Sequence, residues 1–229
     1  MGRLALIFHG FGCNHGTTPT HRGNPVQLQR QSVAAGARPT DVERLEARTA
    51  NGGGFSFLLV HGVTWIAAGV LSFVLPRDTA ALVYLFQGFV AFPASLIVER
   101  VLGYRTLATR ENSLVSLFVL VAVAQGLALP ASIIVYNLDP RLVPVVFAAT
   151  NGGHFLPYSW LHGTRAYIGL AVVAALGPFA VVVAADADAA FHTSGFIVGG
   201  ALLATALWVR LASRARMASG TENAPGRRA

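Results

Sequence analysis

Lysine is absent from this 229-residue chain, and cysteine occurs only once, as Cys13. A single cysteine excludes a disulfide bond within the chain. Charged residues are also scarce, since 12% of the chain is charged and 54% is hydrophobic. That is about half the charged share of a typical soluble domain. So little charge cannot cover the surface of a water-soluble globule, and we therefore expect most of the apolar surface to face lipid.

The common patterns of catalysis are missing as well. The segment Leu4–Gly12 resembles the strand and turn of an α/β-hydrolase oxyanion hole, but no G-x-S-x-G nucleophile elbow follows it. Cys13, His15 and His21 match no standard zinc spacing. The sequence shows no paired carboxylates and no nucleophile–base pair. We therefore predict that the protein is not an enzyme and has no cofactor and no metal site.

Arginine alone supplies the net charge of +7. A nucleic-acid-binding protein would cluster its arginines with aromatic residues on a polar face. Here the arginines lie between long apolar runs, which argues against a nucleic-acid partner and is typical of charges that set membrane topology.

Six apolar segments follow one another between residues 52 and 212. Each is close to the roughly 20 residues that a helix needs to cross a hydrocarbon core of about 30 Å. In chain order they cover residues 55–75, 80–98, 114–136, 142–161, 166–185 and 191–209. Because the connections are short, neighbouring segments should run antiparallel. The predicted fold is an all-α, up-and-down integral membrane bundle of six transmembrane helices, with the lipid bilayer as its partner.

The flanking segments are polar. Residues 1–39 predict a disordered N-terminal tail, and residues 213–229 predict a disordered basic tail. Between the first tail and the first span, residues 40–51 predict a short amphipathic helix. It begins at Thr40-x-x-Glu43, which has the form of a capping box, and ends at the glycines that follow residue 51.

The arginines divide unevenly between the two sides of a six-span bundle. With both termini inside, ten arginines fall on the inner side: Arg38, Arg44, Arg48, Arg100, Arg105, Arg110, Arg165, Arg210, Arg214 and Arg216. The outer side holds only Arg77 and Arg141. This bias predicts a cytoplasmic membrane location with both termini in the cytoplasm. It also favours a crossing by residues 142–161, although the polar stretch 150–154 leaves open whether that segment is continuous or broken.

A few polar residues fall inside the apolar segments. On a helix, Asn151, His154 and Tyr158 share one face. His61 and His154 both lie roughly 10 Å from the inner edge at 1.5 Å per residue. Gln87, Gln125 and Asn151 come out near the midplane by the same count. Polar side chains in lipid are costly and tend to face the bundle interior. We predict that His154, Asn151, His61, Gln87, Gln125 and Tyr158 form one polar intramembrane cluster.

Two functions fit such a cluster. In the first, the protein binds or transports a small solute of unknown identity, with His154 and Asn151 as the principal polar residues. In the second, it is a structural or partner-binding membrane subunit whose polar residues only join helices. Gly195 and Gly199 form a G-x-x-x-G pattern that allows another helix to approach closely, either within the chain or from a second copy in a homo-oligomer.

The segment from Leu45 to Gly169 resembles a family of small bacterial and archaeal membrane proteins that carry a domain of unknown function. The resemblance rests on Asn51-Gly52, on Phe92-Pro93 and, most specifically, on Gly153-His154-Phe155-Leu156-Pro157-Tyr158-Ser159-Trp160-Leu161, which reads G-x-H-[FY]-x-P-Y-x-W-L from Gly152 onward, followed by Thr164-Arg165-Ala166-Tyr167. It implies a six-helix integral membrane domain in a prokaryotic cell membrane, and it implies no catalytic residue or cofactor.

Overall fold

A computed structural model describes residues 39–104 and 113–222, and the residues it describes form helices and short turns. The α-helices are α1 (Pro39–Ala50), α2 (Phe55–Leu71), α3 (Arg77–Val101), α4 (Ser113–Gly126), α5 (Leu129–Leu138), α6 (Val143–His154), α7 (Leu156–His162), α8 (Ala166–Ala184) and α9 (Ala187–Glu222). Two 3-10 turns, Gly52–Gly54 and Pro140–Leu142, precede α2 and α6. Residues 1–38 of the predicted tail 1–39 lie outside the described residues, and Pro39 begins α1.

Four of the helical segments are long and apolar enough to cross a membrane: Gly52–Leu71, Arg77–Val101, Ala166–Ala184 and Ala187–Ala215. They contain most of the first predicted span and the second, fifth and sixth spans. The chain is therefore a helical membrane protein. Helix α9 continues to Glu222, into the segment 213–229 that was expected to be disordered, and residues 223–229 lie outside the described part.

The third and fourth predicted spans differ from the other four because each consists of two shorter helices. Helices α4 and α5 divide the third segment, and α6 and α7 divide the fourth. A proline stands in the first turn of the second helix in each pair, Pro130 in α5 and Pro157 in α7. Proline has no N–H to continue the helix and clashes with the preceding turn, so the helix is interrupted just before it.

Tighter hydrogen bonds preserve backbone pairing at both interruptions. Between α4 and α5, the amides of Leu127 and Ala128 donate to carbonyls three residues earlier, both at 3.1 Å. Between α6 and α7, the amide of Phe155 donates to the carbonyl of Gly152 at 3.1 Å. Such 3-10 bonds satisfy groups that the α-helical pattern would leave open. The interrupted segments therefore remain compatible with a membrane interior.

Helices α2 and α9 pack together through glycines. A side chain on Gly195 would lie 2.6 Å from the Cα of Gly69, and one on Gly199 would lie 2.7 Å from the carbonyl oxygen of Gly62. The G-x-x-x-G pattern is thus covered by a helix of the same chain. A homo-oligomer would need another surface, and its formation stays a prediction.

Trp65 lies at the centre of α2 and fills the middle of the core. It is 2% exposed, and its ring packs against Tyr84 of α3 at 5.7 Å and Phe147 of α6 at 5.8 Å. This burial explains why an aromatic residue lies at the centre of a span rather than at an interface, where tryptophan is usual.

Each end of the bundle has its own charge pattern. The turns before α3, α6 and α9 meet at one end, which we call the aspartate end. There Arg77 pairs with Asp188 at 2.7 Å, and Arg141 bridges Asp139 at 2.8 Å and Asp188 at 3.2 Å. The opposite end, which we call the arginine end, carries α1, the start of α2 and α8, and the later part of α9. The ion pairs join three turns and close the aspartate end.

The glycine contact between α2 and α9 predicts a contrast between two substitutions on α9. Gly195→Ala should destabilise the protein by about 1–3 kcal/mol, because the added methyl overpacks the helix crossing. Gly200→Ala is the matched control, since its methyl would meet no atom within 4 Å. It should be neutral or stabilise by up to about 1 kcal/mol, because alanine favours a helix. Reversible unfolding in detergent measures both, and equal effects would contradict this packing.

The ion pairs at the aspartate end predict a dependence of stability on acid. The hydrogen bond from Arg141 lowers the pKa of the Asp139 carboxyl below its usual value. Because the folded pKa lies below the unfolded one, the stabilisation is present above the unfolded pKa and is lost as pH falls through the folded pKa. Between pH 5 and pH 2 the melting temperature of the wild type should therefore fall more than that of Arg141→Gln. Arg165→Gln, at the arginine end, should keep the wild-type profile. An equal fall of the melting temperature in all three proteins would show that the Arg141–Asp139 pair does not contribute to stability.

Candidate ligand-binding cavity

A cavity of about 410 Å³ lies inside the bundle between α2, α3 and the interrupted helices. Its polar lining comes from the 3-10 turn, α2, α3, α4, α7, α8 and their junctions: Asn51, Ser56, His61, Gln87, Ser95, Glu99, Gln125, Tyr158, His162 and Tyr167. The remaining wall is mainly aromatic and aliphatic. Ligand sites commonly have this volume and this combination of an apolar wall with a few polar groups.

One long face of α3 forms a wall of the cavity. Lining residues recur along it at helical spacing, from Leu85 through Gly88, Phe92 and Ser95 to Glu99. Fourteen residues at 1.5 Å each place the two ends of this face about 21 Å apart. The cavity therefore extends from the middle of the bundle to the arginine end.

Three residues fix the polar groups in the middle of the cavity. The Thr64 hydroxyl donates to Oε1 of Gln87 at 2.5 Å, and Gln87 is only 8% exposed. Nδ1 of His61 lies 3.0 Å from the Phe57 carbonyl, which can only accept, so Nδ1 carries the proton. In the neutral ring, Nε2 of His61 is then an acceptor. The NH2 group of the Gln87 side chain still has two N–H groups that can donate. The site offers both hydrogen-bond roles side by side.

A glycine turn shapes the cavity at the arginine end. Gly52, Gly53 and Gly54 all have positive φ, between 58° and 81°, which costs a residue with a side chain about 1–2 kcal/mol. The turn lets the Tyr167 hydroxyl donate to the Gly53 carbonyl at 2.6 Å, while a side chain on Gly54 would lie 2.5 Å from that hydroxyl. The His162 ring is 1% exposed and stacks on Tyr167 at 5.1 Å.

Helix α1 covers the same end of the bundle. Arg44 donates to the Trp160 carbonyl in the last turn of α7, and its guanidinium lies 4.7 Å from the centre of the Trp160 ring. A cation at a helix C-terminus satisfies a free carbonyl and opposes the negative end of the helix dipole. Ala47 of α1 is buried against Leu161. Together these contacts hold α7 and its cavity-lining side chains in position.

The six residues predicted to form one polar cluster fall into two groups. His61, Gln87, Gln125 and Tyr158 line the cavity. Asn151 and His154 are buried but are not among the lining residues. The Asn151 amide donates to the Phe147 carbonyl of its own helix at 2.8 Å.

His154 lies between α6 and the cavity wall. Its Nδ1 is 2.9 Å from the Val121 carbonyl of α4, and its ring is 4.9 Å from that of Tyr158. The buried Nε2 has no hydrogen-bond partner among the described residues. His154 therefore joins α6 to α4 and lies behind the cavity wall, against the lining residues Phe155 and Tyr158.

Sequence reasoning missed several lining residues at the arginine end, among them Ser56, Ser95, Glu99 and His162. The depth estimate selected residues near the midplane, whereas the cavity continues to the end of the bundle. The sequence did contain one usable signal. Ser95 and Glu99 lie four residues apart on the helical face that carries Gly88 and Phe92.

The long apolar helices and the internal cavity place this chain among helical membrane proteins of unknown activity. No protein with curated annotation and no solved structure matches it. The chain matches a family of unknown function (DUF7010) over residues 41–212, which is most of its length. It belongs to that family, and the resemblance to a domain of unknown function is thereby confirmed.

Proposed function

We propose that this protein binds a small solute in the cavity between α2, α3 and α4. The observation that carries this function is a 410 Å³ space whose middle presents His61, Gln87 and Gln125. Exposing polar side chains to an empty apolar space is costly unless a ligand or water completes their hydrogen bonds. The buried hydroxyl of Ser56 and the carbonyl oxygen of the Asn51 side chain also have no partner among the described residues.

The proposed topology has six crossings with both termini in the cytoplasm, in the cell membrane of a prokaryote. Its support comes from the turn between α5 and α6. Arg141 in that turn pairs with Asp188 at the start of α9, so the turn reaches the same end as the other outer turns. Helix pair α4–α5 therefore runs from the arginine end to the aspartate end, and α6–α7 returns. The arginine end faces the cytoplasm because basic residues concentrate there.

A structural role is the second candidate, and His154 and Asn151 favour it. Both make hydrogen bonds to backbone carbonyls, and His154 thereby connects two helices. These two residues would then hold the helices in place around the cavity, whereas the lining residues His61, Gln87 and Gln125 contact the solute. The polar cluster predicted from the sequence would then contain residues with two different roles.

Single cysteines test the topology. In a Cys13→Ser background, Leu138→Cys at the end of α5 should react with a membrane-impermeant maleimide on intact cells. Ala215→Cys in α9 should react only after permeabilisation. If residue 138 reacts neither on intact cells nor after permeabilisation, α4 to α7 form a re-entrant hairpin and the chain crosses four times; if it reacts only after permeabilisation while residue 215 reacts on intact cells, the orientation is the reverse of the proposed one. Purified protein labelled in detergent is the control for reactivity at both positions.

Filling the cavity tests the proposed binding. Gly88 lines the cavity, and a Cβ there would meet no atom within 4 Å, so Gly88→Leu should occupy the space without disturbing the fold. Gly169→Leu on α8 is the matched control, since its Cβ also meets nothing and Gly169 does not line the cavity. A panel of ions, amino acids, sugars and amphiphiles is screened by thermal unfolding in detergent.

At least one compound should stabilise both the wild type and Gly169→Leu, and should fail to stabilise Gly88→Leu. A ligand at 100 times its Kd stabilises by about 2.7 kcal/mol. Gln87→Leu should weaken the same effect, because it removes a hydrogen-bonding group from the wall. If every compound affects wild type and Gly88→Leu equally, the cavity is not a binding site and the structural role stands.

A further inference from the structure

The cavity opens sideways between α3 and α4. Three of its lining residues are largely exposed, with Phe89 at 64%, Phe92 at 49% and Val123 at 62%. Helix α3 packs against α2, α5 and α6, while α4 packs against α1, α6 and α7, so among the described residues α3 and α4 contact each other little. Helix α3 is one of the long apolar helices, and the proposed topology places α4 in the membrane as well. This opening therefore faces the hydrocarbon layer and not water.

The ion-paired residues of the aspartate end are not among the lining residues of the cavity. The ion pairs of Arg141 with Asp139 and Asp188 join the turns there, and Leu85, the lining residue of α3 nearest that end, is only 2% exposed. A ligand that reaches Gln87 thus passes either along the length of the cavity from the arginine end or directly between Phe89, Phe92 and Val123. The second path is shorter and apolar.

The middle of the cavity carries hydrogen-bonding groups without a fixed charge. Glu99 is the one carboxylate among the described lining residues. It lies twelve residues from Gln87 on the same helix, or about 18 Å along the axis. Around Gln87 and His61 the wall is formed by Phe57, Leu85 and Phe147. A charged group placed there would lose its hydration without gaining a counter-charge, whereas a neutral group that donates and accepts hydrogen bonds would be satisfied.

We propose that the ligand is a membrane-dissolved amphiphile with a neutral head group, such as a hydroxyl or an amide, and a single apolar chain or ring system. It enters from the bilayer between α3 and α4, and its head reaches Gln87 and His61. Its apolar body lies against Phe89 and Phe92. This assignment rests on the proposed binding function and names the ligand class of the same cavity.

Trp65 provides a reporter next to the head-group position. It follows Thr64, which hydrogen-bonds to Gln87, and it packs on Phe147 of the cavity wall. Replacing Trp160 and Trp208 by phenylalanine leaves Trp65 as the single tryptophan, since the chain has three. The probe is 2-bromododecanamide, whose bromine adjoins the neutral head and quenches tryptophan on contact. The protein is placed in phosphatidylcholine nanodiscs.

Quenching should saturate with probe concentration and should be reversed by unbrominated dodecanamide. Acetamide, which is the head alone, should not reverse it, and neither should dodecanoate or dodecylammonium, which carry a charge. Gly88→Leu should abolish the saturable component, and Gly169→Leu should retain it. Gln87→Leu should weaken probe binding about tenfold, the expected effect of losing one hydrogen bond in an apolar site. Circular dichroism checks that each variant is folded.

Two further competitors test how many apolar chains the ligand carries. Competition by 1-dodecanol and not by dioleoylglycerol supports the single-chain assignment, whereas equal competition by dioleoylglycerol, a two-chain glycerolipid, overturns it. Quenching that rises linearly and equally in wild type and Gly88→Leu reports only partition into lipid and overturns the proposal. If acetamide or a charged amphiphile competes as well as dodecanamide, the ligand class is wrong although the cavity binds. Another outcome is that a water-soluble compound stabilises the wild type and not Gly88→Leu while the amides have no effect. That result would support the proposed binding function and would contradict a ligand dissolved in the membrane.

Discussion

Every backbone N–H and C=O in a hydrocarbon layer has to find its hydrogen bond inside the protein, and this constraint governs where the chain can depart from a regular helix. The four long helices meet it by remaining continuous. In the proposed six-span topology, the segment from α4 to α7 meets it differently, because two prolines interrupt it and 3-10 bonds close the interruptions. Irregular backbone is tolerated at membrane depth where it is covered by protein or lines a cavity. Gln125 and Gly126, at the first interruption, line this one.

The helices consequently differ in how closely they pack. Glycine contacts bring α2 and α9 together at Gly69 and Gly195, and α6 and α8 are similarly close, since a side chain on Gly152 would lie 2.7 Å from the Ala171 carbonyl. Helices α3, α4 and α5 have no comparable contact. A Cβ at Gly88 or Gly126 would meet no atom within 4 Å. The cavity lies where the close-packed helices adjoin the loosely packed ones. Whether a helix packs closely depends on whether its small residues contact a neighbouring helix.

The orientation based on arginine placement stays a prediction, whereas the long helices could be predicted from hydropathy, which reports directly on the cost of placing a group in lipid. That cost identified the four long helices and the unusual nature of residues 142–161. It could not show that residues 114–136 are interrupted as well. Proline predicts a kink, and whether the chain bends or begins a new helix depends on the neighbours that satisfy the freed groups. Local hydrogen bonds at Leu127 and Ala128 decided it here.

The polar residues illustrate a second limit. Depth along a helix can be counted from the sequence, and that count predicts similar depths for His61 and His154. Rotation about the axis depends on which helices are neighbours, and no count gives it. His61 lines the cavity, whereas His154 faces α4 and bonds to Val121. For the same reason Thr64 was not recognised, although its hydroxyl orients Gln87 from the neighbouring helix.

The G-x-H-[FY]-x-P-Y-x-W-L segment connects these observations, because its residues act on opposite sides of one interruption. His154 ends α6 and bonds to α4, which fixes the distance between the two interrupted helices. Pro157 lies in the first turn of α7, which carries Tyr158 at the cavity and Trp160 next to Arg44 of α1. A continuous helix would keep residues 154, 158 and 162 on one stripe and would carry them past the arginine end together. The interruption instead turns the last part of the span along the cavity, so that Tyr158 and His162 both line it. The segment is therefore better understood as a structural joint that positions cavity walls than as a binding motif in itself.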